Sequence, residues 1–192
     1  MKISHPLTIK DCDTAAHLYW QAFGGKLGRV LAPDDKAILF IKTVIDPKHV
    51  IAAYDDDRLI GVAGFKSNSG SFVSGKFPDI MKIYGFWGGL WRGLALKLLS
   101  RDTDNTRFLM DGICVNRQYR GQGVGTLLLD EINKEAKRRG YSQVRLDVID
   151  TNHRAKRLYE RCGFYTVADY SIGPLSYIFG FKRATTMVRD IY

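Results

Sequence analysis

The chain has 192 residues, of which 45% are hydrophobic and 26% are charged. These values indicate one globular domain with a sizeable core, and they exclude a disordered chain. The formal net charge of +9 at pH 7 indicates a basic surface that suits an anionic ligand. Because aromatic residues do not alternate with the Lys/Arg clusters of the C-terminal half, we expect no nucleic-acid partner.

The sequence carries no predicted targeting or membrane segment. The longest apolar stretch, residues 83–96, is interrupted by Arg92, so we expect no membrane span. The first six residues lack an apolar core, and we therefore expect no secretory signal. Cys12, Cys114 and Cys162 are too few and too scattered for a disulfide framework or a zinc site. We expect a cytoplasmic protein without a bound metal.

Hydrophobic periodicity and turn residues predict five elements in the first third of the chain. They are a strand over 3–9, helices over 11–23 and 35–45, and strands over 50–54 and 59–65. Gly24 and Gly25 are expected to end the first helix, and Asp34 is expected to cap the second. A polar Ser/Gly loop over 67–74 follows.

An aromatic-rich segment over 76–101 comes next, and its second part, 90–99, has a helical pattern. Its apolar residues include Tyr84, Phe86, Trp87, Leu90 and Trp91. A lid over a pocket, a dimer interface, packing in the core and contact with a membrane surface are all compatible with this composition. Packing in the core is the simplest of these interpretations, and a homodimer stays open.

The second half alternates strands and helices, which predicts a mixed α/β fold. The predicted elements are strands over 108–115 and 144–148, helices over 123–139 and 152–162, a strand over 165–170, and a last strand over either 177–181 or 185–188. Gly140 and Gly163 follow the two helices at the position that favours a left-handed residue.

A glycine-rich turn joins the strand over 108–115 to the next helix. It contains Gly121, Gly123 and Gly125 after Arg120. Backbone N–H groups at a helix start lack partners, and glycine lets a phosphate approach them closely, so this turn predicts an anion site. The spacing fits neither the dinucleotide fingerprint nor the nucleotide P-loop. What remains is the pattern R-x-x-G-x-G.

A second pattern lies about thirty residues further on. Asn152, Ala155 and Tyr159 are spaced as N-x-x-A-x-x-x-Y, and Gly163-Phe164 follows. Together with R-x-x-G-x-G, this pattern closely resembles the GNAT superfamily of N-acetyltransferases over residues 106–168. The resemblance implies one GNAT domain over 1–192, with a central mixed sheet of about six or seven strands flanked by helices. The segment 76–101 is then a helical, aromatic-rich insertion.

The resemblance implies that acetyl-CoA is the acyl donor and that no metal takes part. It also implies a set of cofactor-binding residues, comprising the strand that pairs with pantetheine, the turn that holds the pyrophosphate and the start of the later helix. These are Ile113, Cys114, Val115, Arg120, Gly121, Gln122, Gly123, Val124, Gly125, Thr126, Asn152 and, further along the same helix, Tyr159. A backbone N–H at Cys114 or Val115 is expected to polarise the acetyl carbonyl.

The implied reaction is direct attack of an amine on the thioester within a ternary complex. Tyr159 corresponds to the tyrosine that protonates the leaving thiolate, although its helical spacing also fits a packed core aromatic. Asp111 and Asp147 are the candidate bases, acting through water, and Asp111 also fits a role in a turn or in binding a cationic acceptor. The acceptor is a small-molecule or protein amine. A non-catalytic acyl-CoA sensor with the same fold is the alternative.

Overall fold

The computed structural model describes residues 1–99 and 106–191, without the side chain of Leu99. Its strands form one mixed sheet in the order β1-β2-β3-β5-β6-β8-β7, and the two-residue β4 pairs with β3. The strands are β1 (Lys2–Ser4), β2 (Val50–Asp55), β3 (Arg58–Ser67), β4 (Gly70–Ser71), β5 (Phe108–Val115), β6 (Gln143–Ile149), β7 (Tyr165–Ser171) and β8 (Arg183–Asp190). The predicted mixed sheet flanked by helices is therefore confirmed.

Helices cover both faces of this sheet. They are α1 (Cys12–Leu31), α2 (Asp34–Val44), α3 (Phe77–Tyr84), α4 (Phe86–Leu99), α5 (Val124–Arg138), α6 (His153–Arg161) and α7 (Ser176–Phe179). Alternate residues of β2 enter different cores: Ala52 packs with α1 and α2, whereas Ile51 and Ala53 pack with α5. This period-two alternation is what a strand covered on both faces requires.

The sheet opens between β5 and β6. These two strands are parallel, and they pair only at Phe108–Val144 and Leu109–Arg145, whereas β6 and β8 pair over the whole length of β6. On its other side β5 stays paired with β3 as far as Val115. The carboxyl ends of β5 and β6 therefore diverge.

A β-bulge lies beside this opening. Gly64 pairs with Gly112 and Phe65 pairs with Met110, so Asp111 has no partner on β3. A bulge inserts one unpaired residue and redirects its side chain. Asp111 is that residue here, and the bulge places its carboxylate away from the regular alternation of the strand.

Helix α1 continues past the two glycines that were predicted to end it. Gly24 packs so tightly on Trp20 that an added Cβ would lie 3.2 Å from the indole ring. The following turns bury Leu27, Val30 and Leu31. The gain from burying these side chains exceeds the cost of glycine in a helix, which is about 1 kcal/mol per residue. The predicted end at Phe23 is therefore wrong.

Two other predictions need correction, and one open alternative is resolved. The first strand ends at Ser4, and residues 9–11 form a 3₁₀ turn. Asp34 is the first residue of α2 and makes no capping hydrogen bond. Of the two alternatives for the last strand, the structure has the later one, since residues 176–179 form α7.

The aromatic-rich segment folds as the helical pair α3 and α4. Phe86, Trp87, Leu90 and Trp91 are exposed, so core packing is wrong for these four residues, although Tyr84 is half-buried. Asp79 accepts a hydrogen bond from the backbone N–H of Lys76 at the start of α3. Asp102 lies outside the described residues. No helix in the described parts of the chain is long and apolar enough to cross a membrane.

Candidate active site

The glycine-rich turn forms an open helix start. Gly121 and Gly123 have φ angles of +86° and +83°, and neither has an atom within 4 Å of the position where a Cβ would stand. Gly123 caps α5 without any side-chain hydrogen bond. The N–H groups of Val124, Gly125 and Thr126 therefore have no partner within the helix and can bind an anion.

Positive side chains surround this turn. Arg120 donates from Nε to the backbone oxygen of Val115 over 3.0 Å. Burial lowers the pKa of Arg120, and the nearby charges of Arg154 and Arg117 lower it further. Within the described residues, none of these three guanidinium groups forms an ion pair. Three uncompensated cations beside free N–H groups suit a ligand with several phosphates.

Helix α6 brings Asn152 and Tyr159 to the same region. Asn152 caps α6 by accepting a hydrogen bond at Oδ1 from the N–H of Ala155 over 3.2 Å, which leaves its amide nitrogen as a donor. A Cβ at Gly125 would lie 2.9 Å from Leu158, so the glycine lets α6 pack against the start of α5.

The Tyr159 side chain is only 5% exposed, and its ring packs against Phe164 with centroids 5.9 Å apart. Burial raises the pKa of Tyr159, and proximity to Cys114 raises it further. Among the described residues the Tyr159 hydroxyl has no hydrogen-bond partner. The ring is thus a core residue, and its protonated hydroxyl is available to a group near Cys114.

Cys114 itself is fully buried, and burial raises the pKa of its thiol. A protonated, buried thiol is a poor nucleophile, so an acyl-cysteine route has no support here. The flanking residues Ile113 and Val115 are half-buried and lie on the part of β5 that no longer pairs with β6. The backbone edge of these residues is thus available for a ligand in the opening.

A cleft of about 320 Å³ lies at the opening between β5 and β6. Its charged lining residues are Lys26, Lys66, Asp111, Arg145 and Asp147. Apolar residues, including Leu98 from α4 and Leu175 from the segment after β7, form part of its wall. The structure thus brings both predicted carboxylates to one cavity.

Asp111 lies in this cleft and also lines a second one of about 180 Å³. Its Oδ2 accepts a hydrogen bond from the backbone N–H of Phe72 over 3.1 Å. Desolvation by the surrounding protein raises the pKa of Asp111. The hydrogen bond from Phe72 and the charges of Lys66 and His49 oppose this rise. The Asp111 side chain is exposed to solvent inside the concave cleft. Its raised pKa makes the carboxylate a stronger base.

Asp147 is held more firmly. Its Oδ1 accepts a hydrogen bond from the Thr186 hydroxyl over 2.6 Å, and its Oδ2 lies 3.5 Å from an Arg145 nitrogen. Two partners occupy its oxygens, so Asp147 is better suited to electrostatic stabilisation than to proton transfer.

Two further residues reach the site from α1. Lys26 lines the cleft, where burial lowers its pKa and the charge of Asp147 partly restores it. Tyr19 lines the second cleft, and burial together with Asp111 raises the pKa of Tyr19. Neither residue was predicted to lie at the site, and Lys26 lies beyond Phe23, where the helix was expected to end. The only signal was a single lysine among the apolar residues of the extended helix.

A family model described as the acetyltransferase (GNAT) family matches residues 12–164. The chain belongs to the GNAT family of acetyltransferases. It is 39% identical over 87 residues to a thialysine N-epsilon-acetyltransferase from Mus musculus, a match that covers 45% of this chain and 50% of that protein. A protein of the same name from Bos taurus is 41% identical over 81 residues, or 42% of this chain and 41% of that protein. The chain thus spans about half the length of the curated relatives it matches.

Solved structures of this family share the fold. An N-acetyltransferase from Staphylococcus aureus Mu50 superposes with a TM-score of 0.70 at 14% identity, over 98% of this chain and all of that chain. A Salmonella typhimurium protein, whose structure contains its cofactor acetyl-CoA, superposes with a TM-score of 0.61 at 16% identity, over 100% of this chain and 94% of that chain. At these identities the likeness concerns the fold alone.

Proposed function

We propose that residues 1–192 act as one acetyl-CoA-dependent N-acetyltransferase domain, which transfers an acetyl group directly to an amine. One observation carries the proposal: the opening between β5 and β6 lies beside a helix start with free N–H groups and holds a cleft that contains the carboxylates of Asp111 and Asp147. A cofactor in the opening would have its phosphates at the turn and its reactive end near the carboxylates.

Several features of this chain fit coenzyme A. The N–H groups at the start of α5 and the guanidinium groups of Arg117, Arg120 and Arg154 would hold its phosphates. The backbone edge of Ile113 and Val115 that faces the opening would pair with the amides of the pantetheine arm, and Asn152 would donate from its amide nitrogen. When bound, acetyl-CoA supplies the acetyl group as a thioester.

Asp111 is our candidate general base. An amine must lose a proton before it attacks, and the raised pKa of Asp111 brings this carboxylate closer to the pH at which a base works best. Asp111 accepts the proton, directly or through water, while the amine nitrogen forms a bond to the acetyl carbon. A backbone N–H at Cys114 or Val115 stabilises the oxyanion.

Tyr159 is our candidate general acid. As the carbon–sulfur bond breaks, the thiolate accepts a proton from the Tyr159 hydroxyl, which the core keeps protonated. Holding amine and thioester together would supply on the order of 7–11 kcal/mol of the reduction in barrier. Asp147, fixed by Thr186, would stabilise positive charge on the approaching amine.

The acceptor is a primary amine in this proposal. The names of the mouse and bovine relatives specify the N-epsilon group of thialysine, which is an amine at the end of a flexible chain. The carboxylates of Asp111 and Asp147 suit such a group. The three cysteines are free thiols, which supports a reducing compartment such as the cytoplasm.

The test is to incubate the protein with acetyl-CoA and a panel of primary amines and to quantify the acetylated products by mass spectrometry. Binding of acetyl-CoA is measured separately by calorimetry. Turnover of at least one amine supports the proposal. Tight binding without turnover of any amine would favour the alternative, a non-catalytic sensor with the same fold. No heat from acetyl-CoA or longer acyl-CoA would contradict both.

A further inference from the structure

We propose that the preferred acceptor is an amphiphilic primary amine, whose apolar chain lies along the outer face of α4 while its amine enters the cleft that contains Asp111 and Asp147. This inference rests on the proposed acetyltransferase function and names its substrate class. Four side chains of α4 carry it, which we call the α4 stripe: Trp87, Trp91, Leu94 and Leu98.

The α4 stripe is a continuous apolar surface that faces away from the core. Trp87, Trp91, Leu94 and Leu98 are 78%, 46%, 53% and 59% exposed. Their spacing of four, three and four residues places them on one face of a helix. Contiguous exposed apolar patches of this kind mark binding sites rather than ordinary surface.

Small residues on the inner face explain why the large ones point outward. A Cβ at Gly89 would lie 2.6 Å from the backbone of Met81, and one at Gly93 would lie 2.7 Å from the ring of Phe77. Ala95 is also buried. Helix α4 thus packs on α3 through its glycines and presents its bulky side chains to solvent.

Arg92 holds the stripe in place. It donates hydrogen bonds of 3.1 Å to the backbone oxygens of Gly88 and Ala32, and its guanidinium lies 4.3 Å from the Tyr84 ring centroid. The same guanidinium lies 4.5 Å from the Trp91 ring. Arg92 thus fixes α4 to the end of α1 and stacks against the Trp91 ring. The α4 stripe is therefore a preformed surface for a ligand.

The stripe leads into the cleft. Leu98 is exposed at one end of the stripe and also lines the cleft that contains Asp111 and Asp147. Further apolar wall comes from Ile172 and Leu175. An alkyl chain on the stripe can therefore continue past Leu98 into the cavity, where the amine reaches the carboxylates of Asp111 and Asp147.

Charge argues against a second copy of this chain as the occupant. Residues 80–99 contain Lys82, Arg92 and Lys97 and no acidic residue. Two copies meeting through this face would bring like charges together without a carboxylate in the segment to pair with them. An amphiphile carries its single charge away from this segment, into the cleft where Asp111 and Asp147 lie among Lys26, Lys66 and Arg145.

The test compares primary n-alkylamines of four to ten carbons in lipid-free solution, with product measured by mass spectrometry. A fully buried methylene would raise kcat/KM about fourfold, so a half-covered chain should give about twofold per methylene. The ratio of kcat/KM for decylamine to that for butylamine should fall about tenfold in Leu94→Ser. The matched control is Leu39→Ser, because Leu39 on α2 is also 53% exposed, and this variant should keep the wild-type ratio.

Three results would overturn the inference. The first is a flat chain-length dependence in the wild-type protein while short amines are still acetylated. The second is a dimer by light scattering that Leu94→Ser converts to monomers. The third is a wild-type ratio in Leu94→Ser together with lost binding to phosphatidylserine vesicles, which would assign the stripe to a membrane. Absence of turnover with every amine would instead contradict the proposed function itself.

Discussion

The backbone N–H of Phe72 donates a hydrogen bond to Oδ2 of Asp111, across 39 residues of sequence. Phe72 follows the short strand β4, and its ring is buried against Gly64, where an added Cβ would overlap it. The bulge on β5 and the hairpin that ends β3 therefore fix the same carboxylate. The position of the candidate base therefore depends on the packing of Phe72 against Gly64.

We predict that Asp111→Asn lowers kcat/KM by about 100-fold or more, because the amide cannot accept the proton of the amine. Asn still accepts the hydrogen bond from Phe72, so the fold should persist. Steady-state kinetics measures the loss, and Asp130→Asn on the exposed side of α5 serves as the control. Activity of Asp111→Asn within a few fold of wild type would exclude Asp111 as the base.

The same variant should be more stable than wild type at neutral pH. The folded state raises the pKa of Asp111, so ionisation destabilises the fold as pH rises from the unfolded pKa of 3.8 through the folded pKa. Below pH 3.8 the wild-type carboxyl is mostly protonated in both states, and the difference should become much smaller. Denaturant unfolding at pH 7 and pH 3.5 measures the two free energies. An equal difference at both pH values would contradict the raised pKa.

We predict that Tyr159→Phe lowers kcat on the order of 100-fold while acetyl-CoA still binds. The phenyl ring keeps the packing against Phe164, and no hydrogen bond to another described residue is lost, so the free energy of unfolding should change little. Kinetics, calorimetry and thermal unfolding test the three parts. Tyr141→Phe, in the same core cluster, is the control and should retain kcat. Unchanged kcat in Tyr159→Phe would remove Tyr159 from the acid role.

Gly123→Ala should weaken acetyl-CoA binding by about tenfold, because a side chain at a left-handed position strains the turn that presents the helix N–H groups. Gly140→Ala is a matched control, since Gly140 has φ of +80° and equally open surroundings at the far end of α5. Each substitution should cost about 1–2 kcal/mol of stability. Equal affinities for acetyl-CoA in the two variants would show that the turn does not bind the cofactor.

Glu135 is predicted to stabilise the fold in a pH-dependent way. Burial raises its pKa, but hydrogen bonds from Arg138 and Arg139 outweigh this effect and lower the pKa to about 2. Its stabilising contribution is therefore complete above the unfolded pKa of 4.5 and is lost as pH falls towards 2. Glu135→Gln should cost about 1–3 kcal/mol at pH 7, measured by urea unfolding.

Glu131→Gln is the control for this experiment. Glu131 pairs with the exposed Lys134 on the same helix, and exposed pairs contribute little. Its substitution should change the free energy of unfolding by less than about 0.5 kcal/mol. A similar loss of unfolding free energy in both variants would show that the burial of Glu135 does not strengthen the stabilisation from its ion pairs.

Local signals predicted the second half of the chain well. The strand 108–115 has the predicted bounds, and α5 and α6 begin within one residue of prediction, because glycine and asparagine mark the helix starts directly. The sequence also indicated the glycine-rich turn and Tyr159 as candidate site residues. Their roles are predictions.

Tertiary contacts decided what the sequence could not reveal. Periodicity shows that α4 has an apolar face, but not that its glycine face is the one that packs. Lys26 reaches the cleft only because α1 gains enough burial to continue through Gly24 and Gly25. The cleft itself combines α1, α4, β5, β6 and the segment after β7, which no local pattern connects.

The narrow pairing of β5 with β6 has a mechanical consequence. In the described chain, two residue pairs are the only ladder between the sheet section that contains β1, β2, β3 and β5 and the section that contains β6, β8 and β7. A molecule bound in the gap would contact both sections, and the two sections would then unfold cooperatively. Without it, amide protons along the free edge from Ile113 to Val115 should exchange with deuterated solvent faster than those on the continuously paired β8.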